Sequence, residues 1–235
     1  MGAIFKRELK AYFTAPLGYI FVGVVFALSG YYFWYVLSMQ YNYIEYVFSS
    51  MFTVVTMIVP LLTMRLLSEE KKLKTDQLLF TAPVNLTDVV LGKYFAALVV
   101  YLIGISCTLL FQIVLAVYAV PDWNIFLGNF LALFLVGAAF IAIGLFISAL
   151  TENQIVAAIG TFAVVLLVWM FDMIASVLPA ELEFLAVTLN ALSFSTRYND
   201  FVSGLLDISH ILFFLSFAGA FNFLTVRMLE RKRWS

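Results

Sequence analysis

Charged residues are scarce in this chain of 235 residues. Asp, Glu, Lys and Arg together make up 11% of it, whereas hydrophobic residues make up 64%. An ordinary soluble domain carries roughly 25% charged residues and about 45–50% apolar ones. The composition therefore excludes an ordinary soluble domain and indicates a protein embedded in a membrane.

The chain also lacks the residues that several kinds of site require. Its single cysteine, Cys107, excludes an intrachain disulfide. Its single histidine, His210, excludes the multi-histidine zinc sites of hydrolases. No G-x-x-x-x-G-K-[ST] phosphate-binding loop occurs in the sequence. We therefore expect no catalytic residue, no metal site and no cofactor bound by this chain.

Six apolar segments are long enough to cross a bilayer, which takes about 20 residues per helix. They span residues 17–37, 46–67, 94–119, 125–150, 154–178 and 208–229. We predict an all-α integral membrane fold with six transmembrane helices, organised as a single domain over residues 1–235.

The basic residues predict how the chain is oriented. If both termini are cytoplasmic, 12 of the 13 Lys and Arg residues lie on the cytoplasmic side, and Arg197 alone lies outside. Basic residues are enriched in cytoplasmic loops. The asymmetry therefore predicts a multi-pass protein of the cytoplasmic (inner) membrane with both termini inside.

Residues 3–15 are predicted to form an amphipathic helix before the first crossing. At helical spacing Phe5 and Leu9 fall on one face, and Arg7 and Lys10 fall on the opposite face. This pattern is typical of a helix that lies in the membrane interface with its basic face toward anionic headgroups.

Residues 179–207 precede the last crossing and are too apolar for a solvated loop. We predict short helices that dip back into the membrane or pack across the outer mouth of the bundle, as an extracellular re-entrant hairpin. Irregular backbone at that depth has to be covered by protein.

Asp172 is the only carboxylate expected near the middle of a crossing. A charge there costs free energy and is often functional. Two interpretations stay open: a structural or gating role, in which Asp172 reaches water or pairs with Arg197, and a role in coupling proton or substrate movement.

The stretch SEEKKLKTDQLLFTAPV, residues 68–84, gathers charges of both signs between two apolar segments. One interpretation is a solvated loop that only sets topology. The other is a short cytoplasmic helix whose mixed charges and apolar Leu78, Leu79 and Phe80 form a docking surface.

This stretch resembles the first cytoplasmic loop of ABC-2 type transporter permeases. That loop usually has an acidic pair, basic residues, Gly-Thr, a Leu pair, Pro-Val and a later Gly-Lys. The corresponding residues are Glu69–Glu70, Lys71–Lys72, Thr75, Leu78–Leu79, Pro83–Val84 and Gly92–Lys93. The chain departs from the pattern at Lys74, where glycine is usual. Its C-terminal part is similar to the subgroup that includes gliding-motility-associated and copper-processing permeases.

The resemblance implies a transmembrane subunit that pairs with a second permease subunit, in a homodimer or a heterodimer. Separate ATP-binding subunits would carry ATP and Mg and drive export or mechanotransmission. The outer hairpin would serve as a gate, with Arg197, Tyr198 and Phe201 as candidates. Coupling to the ATP-binding subunit would fall on residues of the first loop (68–93) and of a short inner turn: Glu69, Glu70, Lys71, Lys72, Thr75, Asp76, Leu78, Leu79, Thr151, Glu152, Asn153 and Gln154.

Two other classes of function predict different observations. A self-contained channel or secondary carrier would work without ATP and would need a polar site at the membrane midplane, for which Asp172 is the candidate. A small intramembrane hydrolase would need clustered polar residues, such as a serine beside His210, and no motif in the sequence supports one.

Overall fold

The computed structural model describes residues 1–39, 44–75, 85–118, 122–179, 182–204 and 207–234. Within these ranges all regular secondary structure is helical, which confirms the predicted all-α fold. The helices are α1 (Gly2–Thr14), α2 (Pro16–Ser38), α3 (Ile44–Thr63), α4 (Ser68–Lys72), α5 (Leu86–Ile105), α6 (Cys107–Tyr118), α7 (Trp123–Leu150), α8 (Gln154–Trp169), α9 (Phe171–Val177), α10 (Glu183–Leu192), α11 (Phe194–Val202) and α12 (Ile208–Trp234).

The predicted crossings correspond to long apolar helices. Five stretches of the described chain are long and apolar enough to span a membrane: Pro16–Ser38, Ile44–Lys72, Leu86–Val117, Trp123–Leu150 and Ile208–Lys232. The predicted sixth crossing corresponds to the pair α8 and α9, which is apolar and long enough only when taken together and is bent by 48°, as in a broken span or a re-entrant loop. The third crossing begins at Leu86, eight residues before the predicted start at 94 (94 − 86 = 8). The prediction started at 94 because the charged Lys93 comes directly before it. In the structure Lys93 is buried inside the helix, so the helix continues through it.

Helix α7 is the central element, and it packs against α3, α5, α8, α11 and α12. Two of its glycines allow close helix contacts. Gly137 lies against the Tyr101 ring of α5, and Gly144 lies against Thr63 of α3. The small residues of α7 therefore bring its neighbours close enough for dense packing, which drives helix association in a membrane.

The bundle has two distinct ends. The charged end is defined by α1, α4 and the turn at residues 151–153, next to the carboxyl ends of α3 and α7. The hairpin end is defined by α10 and α11. There the Tyr198 hydroxyl donates to the Phe48 carbonyl oxygen at 2.7 Å, near the start of α3.

Within the predicted segment 179–207, α10 has no buried residue, whereas α11 packs into the hairpin end. Phe194, Tyr198 and Phe201 of α11 are buried. Phe194 lies 5.4 Å from Phe140 of α7 and 5.1 Å from Phe214 of α12, between ring centroids. Aromatic pairs at such distances pack favourably. The second helix of the hairpin is therefore part of the packed core.

We predict that Gly144→Ala destabilises the bundle by about 1–3 kcal/mol, because added volume in a close-packed core forces strain. A Cβ atom there would lie 2.6 Å from Thr63 Cβ and closer still to its Oγ1. The measurement is thermal unfolding of the purified chain in detergent.

The matched control for this prediction is Gly219→Ala on α12, where a Cβ atom would meet nothing within 4 Å. Equal unfolding temperatures for the two variants would contradict the close α3–α7 contact.

Candidate functional site

The charged end holds a network of four ionic side chains from three helices. Lys93 Nζ of α5 lies 3.1 Å from Glu8 Oε1 of α1 and 3.0 Å from Glu70 Oε1 of α4. Arg7 Nη2 bridges the same two carboxylates at 2.7 Å and 2.8 Å. The four charges cancel, and each carboxylate accepts from both cations. This ion-pair network, Arg7–Glu8–Glu70–Lys93, ties α1, α4 and α5 together.

Burial makes the network more than a surface ion pair. Only 1% of the Lys93 side chain is exposed, together with 14% of Glu8 and 17% of Glu70. Exposed pairs contribute little to stability. Removing one partner of a buried pair leaves an uncompensated charge and costs about 3–5 kcal/mol. The network therefore fixes the relative positions of its helices.

Small residues and a buried tyrosine bring α1 into place for these contacts. A Cβ atom at Gly92 would lie 3.0 Å from Ile4 Cγ2, so the glycine lets α1 lie close to α5. The Tyr12 hydroxyl donates to the Leu62 carbonyl oxygen of α3 at 2.8 Å. Burial raises the pKa of Tyr12, so its hydroxyl stays protonated as the donor.

The network changes the ionisation of its members in α1. Burial pushes the pKa of Glu8 up, but Lys93 and Arg7 outweigh it, so that this pKa lies below its usual range. The hydrogen bond to Glu8 raises the pKa of Arg7, although burial opposes the shift. Both groups are therefore held in their charged forms at neutral pH.

A cavity of about 250 Å³ lies beside the network, between α1 and α4. Its lining includes Arg65 and Glu69, which pair with each other at 3.1 Å one helical turn apart. Glu70 also lines it, and its Oε2 is buried without a hydrogen-bond partner among the described residues. The cavity therefore brings charged groups of both signs to one opening.

A second junction fastens α4 to the carboxyl end of α7. Ser148 Oγ accepts from the backbone amides of Leu67 and Ser68 at 3.0 Å each and donates to the Met64 carbonyl oxygen at 3.1 Å. One hydroxyl thus satisfies backbone groups at the break between α3 and α4. Ser148 is therefore buried within the bundle, in contact with the backbone between α3 and α4.

Lys71 is buried at the same junction. Its ammonium donates to the Ala149 carbonyl oxygen in the last turn of α7. The last carbonyls of a helix lack partners within it and carry partial negative charge, so a cation there is stabilising. Lys71 therefore caps α7, whereas its neighbour Lys72 is exposed.

The turn at residues 151–153 follows α7 and caps the start of α8. Thr151 Oγ1 accepts from the Asn153 amide at 3.1 Å, and Asn153 Oδ1 accepts from the Ile155 amide at 2.9 Å. Asn153 is therefore the N-cap of α8. Glu152 is exposed, and Gln154 is the first residue of α8.

Helix α4 ends in a Schellman motif. The Thr75 amide donates to the Glu70 carbonyl oxygen at 2.9 Å, and the Lys74 amide donates to that of Lys71 at 3.0 Å. Lys74 has φ = 57°, in the left-handed region that glycine usually occupies at this position. The lysine thus adopts the turn for which the family pattern has glycine.

The structure brings together part of the predicted coupling set. Contacts between α4 and both α7 and α8 place α4 next to the 151–154 turn. Glu69 pairs with Arg65, and Glu70 belongs to the ion-pair network. Asp76, Leu78 and Leu79 lie outside the described residues.

Sequence reasoning missed three members of the network. Arg7 was assigned to a headgroup-facing surface, and Glu8 and Lys93 received no structural role. A signal was present: Lys93 and Glu8 are both charges that interrupt apolar helical patterns. Such a charge is buried only if it is paired, and the pairing partner could not be identified without the fold.

The predicted outer residues fall at the hairpin end. Tyr198 and Phe201 are buried in packing, whereas Arg197 bonds His210 and the Ala191 carbonyl oxygen. Asp172, in the first turn of α9, is half-buried. Among the described residues, no ion pair joins Asp172 to Arg197.

A family model described as "ABC-2 family transporter protein" matches residues 4–233, nearly the whole chain. The search of curated proteins found no match. The matched range begins within the first turn of α1 and includes the ion-pair network and the hairpin end.

We predict that Lys74→Gly stabilises the end of α4 by about 1 kcal/mol, because a non-glycine residue in the left-handed region costs about that much. The measurement is the free energy of local opening at the amides of residues 73–75, from hydrogen exchange. Lys74→Ala is the control, since it keeps the strained φ and should gain nothing. A Gly variant no better protected than the Ala variant would contradict the assigned motif.

A second prediction concerns acid stability. Because the pKa of Glu8 is lowered in the folded protein, its stabilising contribution is complete above the ordinary value of 4.5 and is lost as the pH falls through the lowered value. Glu8→Gln should therefore be less stable at neutral pH and lose less stability on acidification. The measurement is the unfolding temperature from about pH 6 to pH 3; parallel profiles for both proteins would refute the assigned role.

Proposed function

Because the chain belongs to the ABC-2 transporter family, we propose that it is the membrane-spanning half of a transporter driven by separate ATP-binding subunits. It is a multi-pass membrane protein and a permease component. The proposal adds a second permease subunit, as a homodimer or heterodimer, and an ATP-binding subunit at the charged end. ATP and Mg belong to that partner subunit.

One observation carries the proposal: α4, in the described part of the charged loop, is joined to the bundle by buried contacts. The buried Lys93 holds Glu70 together with the exposed Arg7, and Ser148 and Lys71 hold α4 against α7. A solvated loop that only sets topology has no need of buried ionic and hydrogen-bonded partners. This favours the docking-surface interpretation over the solvated-loop interpretation.

The proposed mechanism follows from the ion-pair network and the Ser148 junction. ATP binding closes the partner subunits and displaces whatever part of α4 rests on them. The ion-pair network passes that displacement to α1 and α5, and the Ser148 junction passes it to α7. Because packed helices move as stiff bodies rather than deforming continuously, the displacement reaches the core of the bundle.

We further propose that the charged end and both termini face the cytoplasm in the inner membrane. The distribution of basic residues supports this orientation, with Arg197 alone at the hairpin end. The direction of transport proposed is export, and the α10–α11 hairpin is proposed as the outer gate. Asp172 is proposed to have a structural role at that end, since it lies in the first turn of a short helix.

The experiment is purification of the tagged chain from its native membrane, followed by ATPase measurement on the complex. We expect an ATP-binding subunit to accompany the chain. Glu70→Lys should lower the ATPase rate about tenfold or release the subunit, because it places a third cation against Arg7 and Lys93.

Glu183→Lys is the matched control, since it makes the same charge change at an exposed residue of α10, at the other end of the bundle. It should lower the rate much less. A chain that arrives alone and moves solute in liposomes without nucleotide would refute the proposal and favour a self-contained carrier.

A further inference from the structure

The sole histidine of the chain links the outer hairpin to the last crossing. His210 of α12 lies between two charged residues of α11. Its Nδ1 is 2.9 Å from Arg197 Nη1, and its Nε2 is 3.0 Å from Asp200 Oδ2. The side chain is 15% exposed, so a proton can reach it from water.

The two contacts determine where the imidazole carries its proton. A guanidinium only donates hydrogen bonds, so Nδ1 has to be the bare acceptor. Nε2 then carries the hydrogen and donates it to the Asp200 carboxylate. His210 is therefore neutral in this arrangement, with its tautomer set by Arg197 and Asp200.

Arg197 makes two further contacts from this position. Its Nη2 donates to the Ala191 carbonyl oxygen at 2.8 Å, in the last turn of α10. Its guanidinium carbon lies 4.1 Å from the centroid of the Phe213 ring of α12. The neutral His210 thus holds a cation that joins α10, α11 and α12.

Among the described residues, the charged groups near His210 other than Arg197 and Asp200 do not replace these contacts. Asp207, just before α12, uses its carboxylate to accept from the Ser209 amide. Helices α3 and α7 meet α11 with the aromatic residues Phe52 and Phe140. Among the described residues, no ion pair joins His210 or Arg197 to Asp172 of α9 or to Glu183 of α10.

We propose that His210 is a proton-controlled latch on the outer hairpin. A proton from water binds Nδ1, which removes the acceptor for Arg197 and sets two cations against each other. The imidazolium keeps Asp200, whereas Arg197 leaves the Phe213 ring and the Ala191 carbonyl oxygen. Acid therefore releases the α10–α11 junction from α12. The latch goes beyond the transport function proposed above and does not depend on it.

The first test is nitrogen NMR of the full-length chain in lipid nanodiscs, labelled with ¹⁵N-histidine. Because the sequence has one histidine, the spectrum reports His210 alone. Spectra are recorded at about pH 7.5 and at about pH 5.5; the latch requires a bare Nδ1 with a protonated Nε2 at the higher value and a proton on both nitrogens at the lower one. A proton on Nδ1 at the higher pH would overturn the proposal.

The second test is hydrogen exchange of residues 183–197 at the same two pH values, corrected for intrinsic exchange chemistry. Exchange should be about tenfold faster in acid, since a hydrogen bond to a charged group is lost. His210→Gln supplies a neutral acceptor and donor and should stay slow at both values. His210→Lys supplies a fixed positive charge and should be fast at both.

Equal exchange of the wild-type chain at the two pH values, or an unchanged pH response in His210→Gln, would overturn the latch. Neither test needs nucleotide or a partner subunit. Failure of the latch is therefore distinct from failure of the proposed transport function.

Discussion

The buried ammonium of Lys93 is the constraint on which the charged end depends. With 1% of its side chain exposed, it cannot keep its charge without partners. It takes one carboxylate from α1 and one from α4, so both helices have to meet α5 at this point. Arg7 neutralises the second negative charge and completes the network. Gly92 is the steric counterpart of this electrostatic requirement, because it lets α1 approach closely enough.

The second junction follows the same logic with hydrogen bonds in place of ion pairs. A break between α3 and α4 leaves backbone amides that have to be satisfied in a buried place. Ser148 satisfies two of them, and Lys71 in return caps the carboxyl end of α7. The short helix α4 is thus held on one side by α1 and α5 and on the other by α7. An ATP-binding subunit that moves α4 would move the bundle with it.

The long helices were predictable because hydrophobic length alone identifies a crossing. The ends of these helices were less predictable. The apolar pattern placed the start of the third crossing at 94, but paired burial of Lys93 lets the helix begin at Leu86. The charged loop was recognised by its residues, whereas its partners lie far away in the sequence: Arg7 is 63 positions from Glu70, and Ser148 is 80 positions from Ser68. The spacing of neighbouring residues does not reveal contacts between residues so far apart in the sequence. The resemblance marked Lys74 as a departure, and only backbone geometry showed that it takes the conformation of a glycine.

A double-mutant cycle between Lys93 and Glu70 tests the central claim most directly. The unfolding free energies of Lys93→Met, Glu70→Gln and the double variant are measured against the wild-type chain in the same lipid. We predict that the double variant loses less than the sum of the two single losses, by about 0.5–3 kcal/mol, because each single change leaves one charge of the network uncompensated, whereas the double change keeps the network neutral. Strictly additive losses would show that the two residues act independently, and they would contradict the view that α4 is held to the bundle by the buried ammonium.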